Sequence, residues 1–406
     1  MNNVRFSLIL LCSFLMTCVL TTHGQTRSRA KRTSAGTKTS SQSSAVFDNL
    51  VKVADEARIA GRLDEAIEAY TRAVQNRPKW PDGWWYLGAL YYEKDLYPQA
   101  RDAFNKLVVL EPKRGPAWAM LGLCQFQTRE YEPAVTAFQR GYVLGLDGNK
   151  ELYTVVRYHA VLLYIRSEQF EVAFDVLREL QTDNPKIVEA FGLIMLRMPF
   201  FPTEIPAERR EEVLLAGQAG ASMAAQRRDD ARKAFQDLVG RYPDDPNVHY
   251  SFGVFMMHQD VDLAVKEFLR ALELNAQHQP AMVQLAFEYL KRREYETALP
   301  LAEKSVALAP RMYPARNVLG RVLLELGQTA RAITELEEGI RLAPESFEMH
   351  FALARAYARA GRKAEADREN EIFKKLQEKY NQQIGAGQSE NATSTTTAKP
   401  DPAKKN

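Results

Sequence analysis

Beyond Gly24 the histidines are His159, His249, His258, His278 and His350, together with a single cysteine, Cys124. A zinc site needs three or four such ligands at close spacing, as in H-E-x-x-H or a Cys-x-x-Cys pair. None of these residues stands so. His249 and His350 read as packing or capping residues on helices. Cys124 reads as a small buried hydrophobe, with no disulfide partner once Cys12 and Cys18 leave with the first segment. Gly217-Gln218-Ala219-Gly220 is no phosphate loop, because no strand pattern precedes it. There is no Gly-x-Ser-x-Gly elbow. The paired acids Glu211-Glu212 and Glu337-Glu338 sit beside basic residues, as solvated helix faces do. Nothing here argues for catalysis, a cofactor or a metal. The chemistry on offer is that of binding: aromatic and arginine side chains that return at a fixed step.

That step is constant along the chain: Trp84 is echoed by Trp118, Leu87 by Leu121, Gly88 by Gly122, and Ala66 by Ala100 and Ala134. Downstream, Ala298, Ala332 and Ala366 keep the same interval, as do Pro310 and Pro344. Within one copy, Trp84, Leu87, Gly88 and Tyr91 share one face of a helix. Glycine in mid-helix costs about 1 kcal/mol against alanine, so Gly88 implies close approach of a second helix. Ala100, Phe104 and Leu107 form that helix's apolar face, and Pro112 follows its end. Neither helix can bury its face alone, so the pair must stack on a neighbour.

The period and these residues resemble the tetratricopeptide repeat, in which each unit is a helix-turn-helix. The resemblance spans Phe47–Tyr380 and implies an all-α fold, an α-α superhelix of about nine units. Register fails once, between Pro185 and Pro243, which stand much farther apart than Pro310 and Pro344. The break, at 186–211, holds an apolar helix, Ile187–Met198, and the loop Pro199–Pro206. Pro199, Pro202 and Pro206 together exclude a helix interior there. Here Phe200 and Phe201 either seal the interrupted repeat or form a latch that partners grip.

In the family the first helix of each unit lines the groove. Carried onto this chain, its inward positions are Trp85 and Tyr92, Leu123 and Phe126, Tyr158 and Leu162, Tyr250, Val254 and Met257, Phe287 and Leu290, Asn317 and Arg321, Arg355 and Ala358. The resemblance thus implies a groove aromatic through its first two-thirds and basic towards its end, suited to an extended peptide with an acidic end. The Lys/Asn carboxylate clamp of some members is absent, since the paired positions here hold Val51 and Asp55, Trp85 and Ala89, and Asn317 and Arg321. A scaffold for other proteins is the main expectation. A carbohydrate-binding subunit using Trp85 and Tyr92 as sugar platforms is the alternative. An enzyme sited around Glu204–Glu212 is a third, with less behind it.

The ends read differently. Arg5 precedes an apolar run, Phe6–Leu20, and Gly24 offers a cleavage point, so 1–24 reads as a signal peptide. A span of about 20 residues is needed to cross a membrane, which disfavours an uncleaved anchor. Lipidation at Cys18 is a weaker reading still. Residues 25–44 carry Arg27, Arg29, Lys31, Arg32 and Lys38 without an acid. They read as a disordered basic spacer, able to adhere weakly to anionic membrane or cell-wall polymer. The whole chain is formally +3, so the 45–380 body is net negative and unlike a nucleic-acid groove. Residues 381–406 read as a disordered tail, in which Asn391-Ala392-Thr393 is a coincidental glycosylation match. The expectation is an exported, periplasmic, envelope-associated or secreted protein.

Overall fold

The computed structural model describes residues 36–146, 148–180 and 183–394. The segment read as a signal peptide, 1–24, with Cys18, and the basic residues of 25–35 lie outside these. The described residues are helical throughout, with no strand among them. They fall into two compact units, Met1–Ala231 and Arg232–Asn406.

Unit 1 carries α1 (Gly36–Ile59), α2 (Leu63–Asn76), α3 (Pro81–Glu93), α4 (Tyr97–Leu110), α5 (Gly115–Gln127), α6 (Tyr131–Leu144), α7 (Lys150–Arg166), α8 (Phe170–Leu177), α9 (Pro185–Met195) and α10 (Arg210–Ala224). The division falls within α11 (Arg228–Arg241). Unit 2 continues with α12 (Pro246–Met256), α13 (Val261–Leu274), α14 (Gln279–Lys291), α15 (Tyr295–Leu308), α16 (Tyr313–Glu325), α17 (Thr329–Leu342), α18 (Phe347–Arg359) and α19 (Lys363–Ser394). In each unit, helices touch those next in sequence or one beyond. Burial is therefore built up pair by pair.

The glycine-against-ring packing expected at the inter-helix contact is present. A Cβ at Gly88 would lie 2.9 Å from the Phe104 ring, one at Gly122 2.6 Å from Phe138, and one at Gly253 2.6 Å from Phe268. At Gly320 the opposing side chain is Leu336, also at 2.6 Å. Phe104, Phe138 and Phe268 are fully buried, and a core side chain of this kind contributes about 1.5–3 kcal/mol on burial.

Eight of the turns within pairs use one residue in the left-handed region, at the same place in the repeat. Glycine fills it at Gly61, Gly327 and Gly361, but Asp95, Arg129, Glu168, Gln226 and Arg293 fill it elsewhere with φ between 57° and 64°. The next residue's N–H then returns to a carbonyl five positions back, as from Leu96 to Tyr91 at 2.9 Å and Glu130 to Gln125 at 2.8 Å. This satisfies a carbonyl that the helix end would otherwise leave open. After α12, which ends two residues sooner than the equivalent helices α3, α5, α14, α16 and α18, the turn takes four residues instead of three and has no left-handed residue.

A second device links five of the pairs to the residues before them. The fourth residue of the first helix donates a side-chain N–H to the carbonyl of the proline six positions earlier. Trp84 does so to Pro78 at 2.8 Å and Trp118 to Pro112 at 3.0 Å in unit 1. In unit 2, His249 bonds Pro243 at 2.8 Å, Arg316 bonds Pro310 at 2.8 Å and His350 bonds Pro344 at 3.0 Å. The repeat asks for a donor there, and Trp, His and Arg each supply one.

Three boundaries differ from the sequence reading. The extra helix α9 ends at Met195, short of Met198, and Arg197 then turns left-handed with φ 49°. Helix also reaches into both segments read as disordered, since α1 begins at Gly36 and α19 runs to Ser394. No proline stands in 25–77 or in 363–394 to stop either helix.

Candidate functional site

The side chains carried over as groove residues divide sharply by burial. Trp85 on α3 is 6% exposed, with its ring edge-on to Phe104 at 5.7 Å and the Arg114 guanidinium over its face at 4.6 Å. Tyr250 on α12 is 8% exposed and packs on Phe268 and His278. Both belong to the core, which corrects their placement on an open groove. The arithmetic of inward positions ignores how far a large ring leans over the preceding turn. Trp85 therefore offers no free face to a sugar.

Tyr92 and Tyr158 are partly buried in unit 1, and burial pushes both phenols above their ordinary range. Tyr92 sits edge-on to Tyr97 at 5.3 Å. Phe126, at the end of α5, is partly buried among Tyr131, His159 and Phe201. Phe200 is partly buried, and the ends of its loop are held by the buried Met198 and Ile205. The loop is thus anchored at its ends by Met198 and Ile205, and it is Phe201, not Phe200, that meets Phe126 and Tyr131, a difference that single-residue patterning does not make.

In unit 2 the remaining candidates converge. An open cleft of about 710 Å³ is lined by Phe287 from α14, by Asn317 and Arg321 from α16, and by Phe347 and Tyr380 from α18 and α19. Phe347 and Tyr380 lie against each other at 5.3 Å to form one wall. The last helix thus builds part of the site, which no position rule for first helices could find.

Among the described residues, two polar groups in this cleft lack a hydrogen-bond or ion-pair partner. Asn317 Oδ1 is buried and accepts no hydrogen bond. Arg321 makes no ion pair among the described residues, and its guanidinium lies 5.4 Å from the Phe287 ring. Burial, and then repulsion from Arg355, holds the Arg321 pKa below its usual value against the pull of Glu325 and Glu348. Arg355 is exposed and paired with Glu325 at 2.8 Å, so it acts on the cleft through charge. A buried acceptor and a half-desolvated cation are both costly when left alone. A ligand that brings an N–H to Asn317 and a carboxylate to Arg321 relieves both at once, with Phe287 and Tyr380 supplying apolar contact.

Among the described residues no group of three His, Cys, Asp or Glu side chains is placed to hold a metal ion. No helix there is long and apolar enough to cross a membrane. The paired acid Glu212 is buried and held by Arg209 at 2.5 Å, a structural contact at the start of α10.

The tetratricopeptide repeat family model matches residues 53–116, 218–281, 283–337 and 317–369. Among solved structures, MamA from Desulfovibrio magneticus RS-1 is 22% identical over 42% of this chain and 96% of its own, with a TM-score of 0.38. MamA AMB-1 is 24% identical over 39% of this chain and 94% of its own, with a TM-score of 0.35. No curated protein matches the chain.

Proposed function

This chain belongs to the tetratricopeptide repeat family, and on that premise we propose that it is a non-catalytic scaffold that holds partner proteins by extended segments. The observation that carries this reading is the unit 2 cleft, where Arg321 and the Asn317 acceptor stand unmatched beside Phe287. The segment it suits is a peptide with an apolar residue next to a carboxylate, either a side chain or a chain end. The signal-like residues at 1–24 support export to the envelope or secretory route. The basic residues of 25–44 support weak contact with an anionic surface.

A pull-down by the full chain from its native envelope fraction tests the cleft. Arg321→Glu should lose proteins that the wild type retains, and Asn317→Ala should weaken their retention. An unchanged set of retained proteins, with both variants folded, would remove the cleft from the account. Export is checked separately by sequencing the amino terminus of the secreted form, which should begin at Gln25.

A further inference from the structure

The Phe126 surface of unit 1 is occupied by the chain's own residues 199–204. Phe201 meets Phe126 edge-on at 5.7 Å and Tyr131 at 5.5 Å. His159 supports Phe126 from another side at 4.8 Å. Arg166, the last residue of α7, donates to the Pro199 carbonyl at 2.9 Å, faces the Glu204 carboxylate at 3.5 Å and covers the Phe201 ring at 5.7 Å. Glu204 folds back to accept from the Phe201 N–H at 2.9 Å, which holds the segment in a tight turn.

The strap therefore offers unit 1 three groups: an aromatic ring, a prolyl carbonyl two positions before it, and a carboxylate three positions after it. Its ends are fixed, with Met198 5% and Ile205 4% exposed. Its middle is held differently. Arg166 and Glu204 are 46% and 43% exposed, and exposed pairs of this kind are worth about 0–1 kcal/mol. The Phe201 ring is only partly covered. The ends pack like core, while the middle binds like a ligand.

We propose that Phe126, Tyr131 and Arg166 form a binding site for a partner segment bearing an aromatic residue and, three positions on, an acid, and that residues 199–204 keep this site occupied in cis. The proposal rests on the scaffold reading, though it concerns unit 1 and does not use the Arg321 cleft. An internal occupant lowers the apparent affinity of a competitor by the fraction of time the site is open. Loosening the strap must therefore tighten binding of anything that resembles it.

The test uses the full chain and a labelled peptide, Pro-Phe-Phe-Pro-Thr-Glu-Ile-Pro, followed by fluorescence anisotropy. Wild type should bind it weakly. Phe201→Ala should bind it at least tenfold more tightly and Glu204→Ala several-fold more tightly, and Arg166→Glu should abolish binding in either background. A peptide with alanine at the second Phe and at Glu should not bind. Should Phe201→Ala fold poorly, Glu204→Ala decides, since its carboxylate contacts are exposed. Equal affinity in wild type and Glu204→Ala, or indifference to Arg166→Glu, would each make the strap a structural seal and overturn the proposal. Failure here leaves the Arg321 pull-down result standing.

Discussion

Arg129, Glu168 and Arg293 hold φ of 64°, 58° and 63° on exposed turns, where a side chain costs about 1 kcal/mol that glycine avoids. Their place in the repeat is the one that Gly61, Gly327 and Gly361 take. Replacing Arg129 or Glu168 by Gly relieves the strain but enlarges the freedom of the unfolded chain. The net expectation is a gain of roughly 0.5 kcal/mol for each, read by urea denaturation. Gly327→Ala should go the other way by about 1 kcal/mol. If both exchanges proved neutral, the turn would not be the strained point of the repeat. A larger cost belongs to Gly192 and Gly217, where α9 and α10 touch. A Cβ at either would strike a backbone carbonyl, of Val213 and Val188 respectively, and backbone cannot rotate away. Gly192→Ala should lower stability by about 1–3 kcal/mol, at the scale of overpacked cores, measured against Gly240→Ala, where a Cβ meets nothing.

At the scale of elements, the donor that ties a pair to the preceding proline also sets a pH dependence. His249 places Nδ1 at 2.6 Å from the Glu267 carboxylate and Nε2 at 2.8 Å from the Pro243 carbonyl, so both nitrogens face acceptors. Burial opposes its charge and Arg270 adds to that, but Glu267 and the carbonyl outweigh them and the pKa is raised. A raised folded value means stability that is complete below the unfolded pKa of about 6.5 and lost as pH climbs through the folded one. Unit 2 should therefore lose stability as pH rises above about 6.5, and His249→Gln should flatten that slope while lowering the acidic plateau. A wild-type profile already flat across that range would contradict the pairing. His249 and His350 also show what is legible in the sequence. Their equivalence to Trp84 and Trp118 is plain from spacing, which implies packing or capping. The shared proline carbonyl is not, because Trp, His and Arg have only an N–H in common. The repeat pairs are legible for the same reason, since Gly88 and Phe104 have to be small and large together. Trp85 and Tyr250 are misplaced by their positions in the repeat because a position number carries no lean of the ring. The far wall of the cleft is hidden because Tyr380 comes from a helix whose charged sequence reads only as a solvated end.

At the scale of the whole molecule, stability comes chiefly from neighbours in sequence, since within each unit the main helix contacts are with those one or two places along. Such a chain transmits damage over a short distance, because each interface depends on two partners and on nothing remote. Gly320→Leu makes the case testable. A Cβ there already lies 2.6 Å from Leu336, and the longer side chain must force α16 and α17 apart. Amide exchange should quicken first in those two helices, then in α15 and α18, whose faces they cover. The amides of α3, α4, α5 and α6 should keep their protection, for none of them neighbours α16 or α17 in sequence. The cleft should open with it, because Asn317 and Arg321 ride on α16, and binding of a carboxylate peptide should fall in step with the exchange of that helix. A cooperative fold with one continuous core would behave otherwise, with protection falling everywhere at once. Uniform loss across α3 to α18 would show that something beyond pairwise stacking joins the repeats.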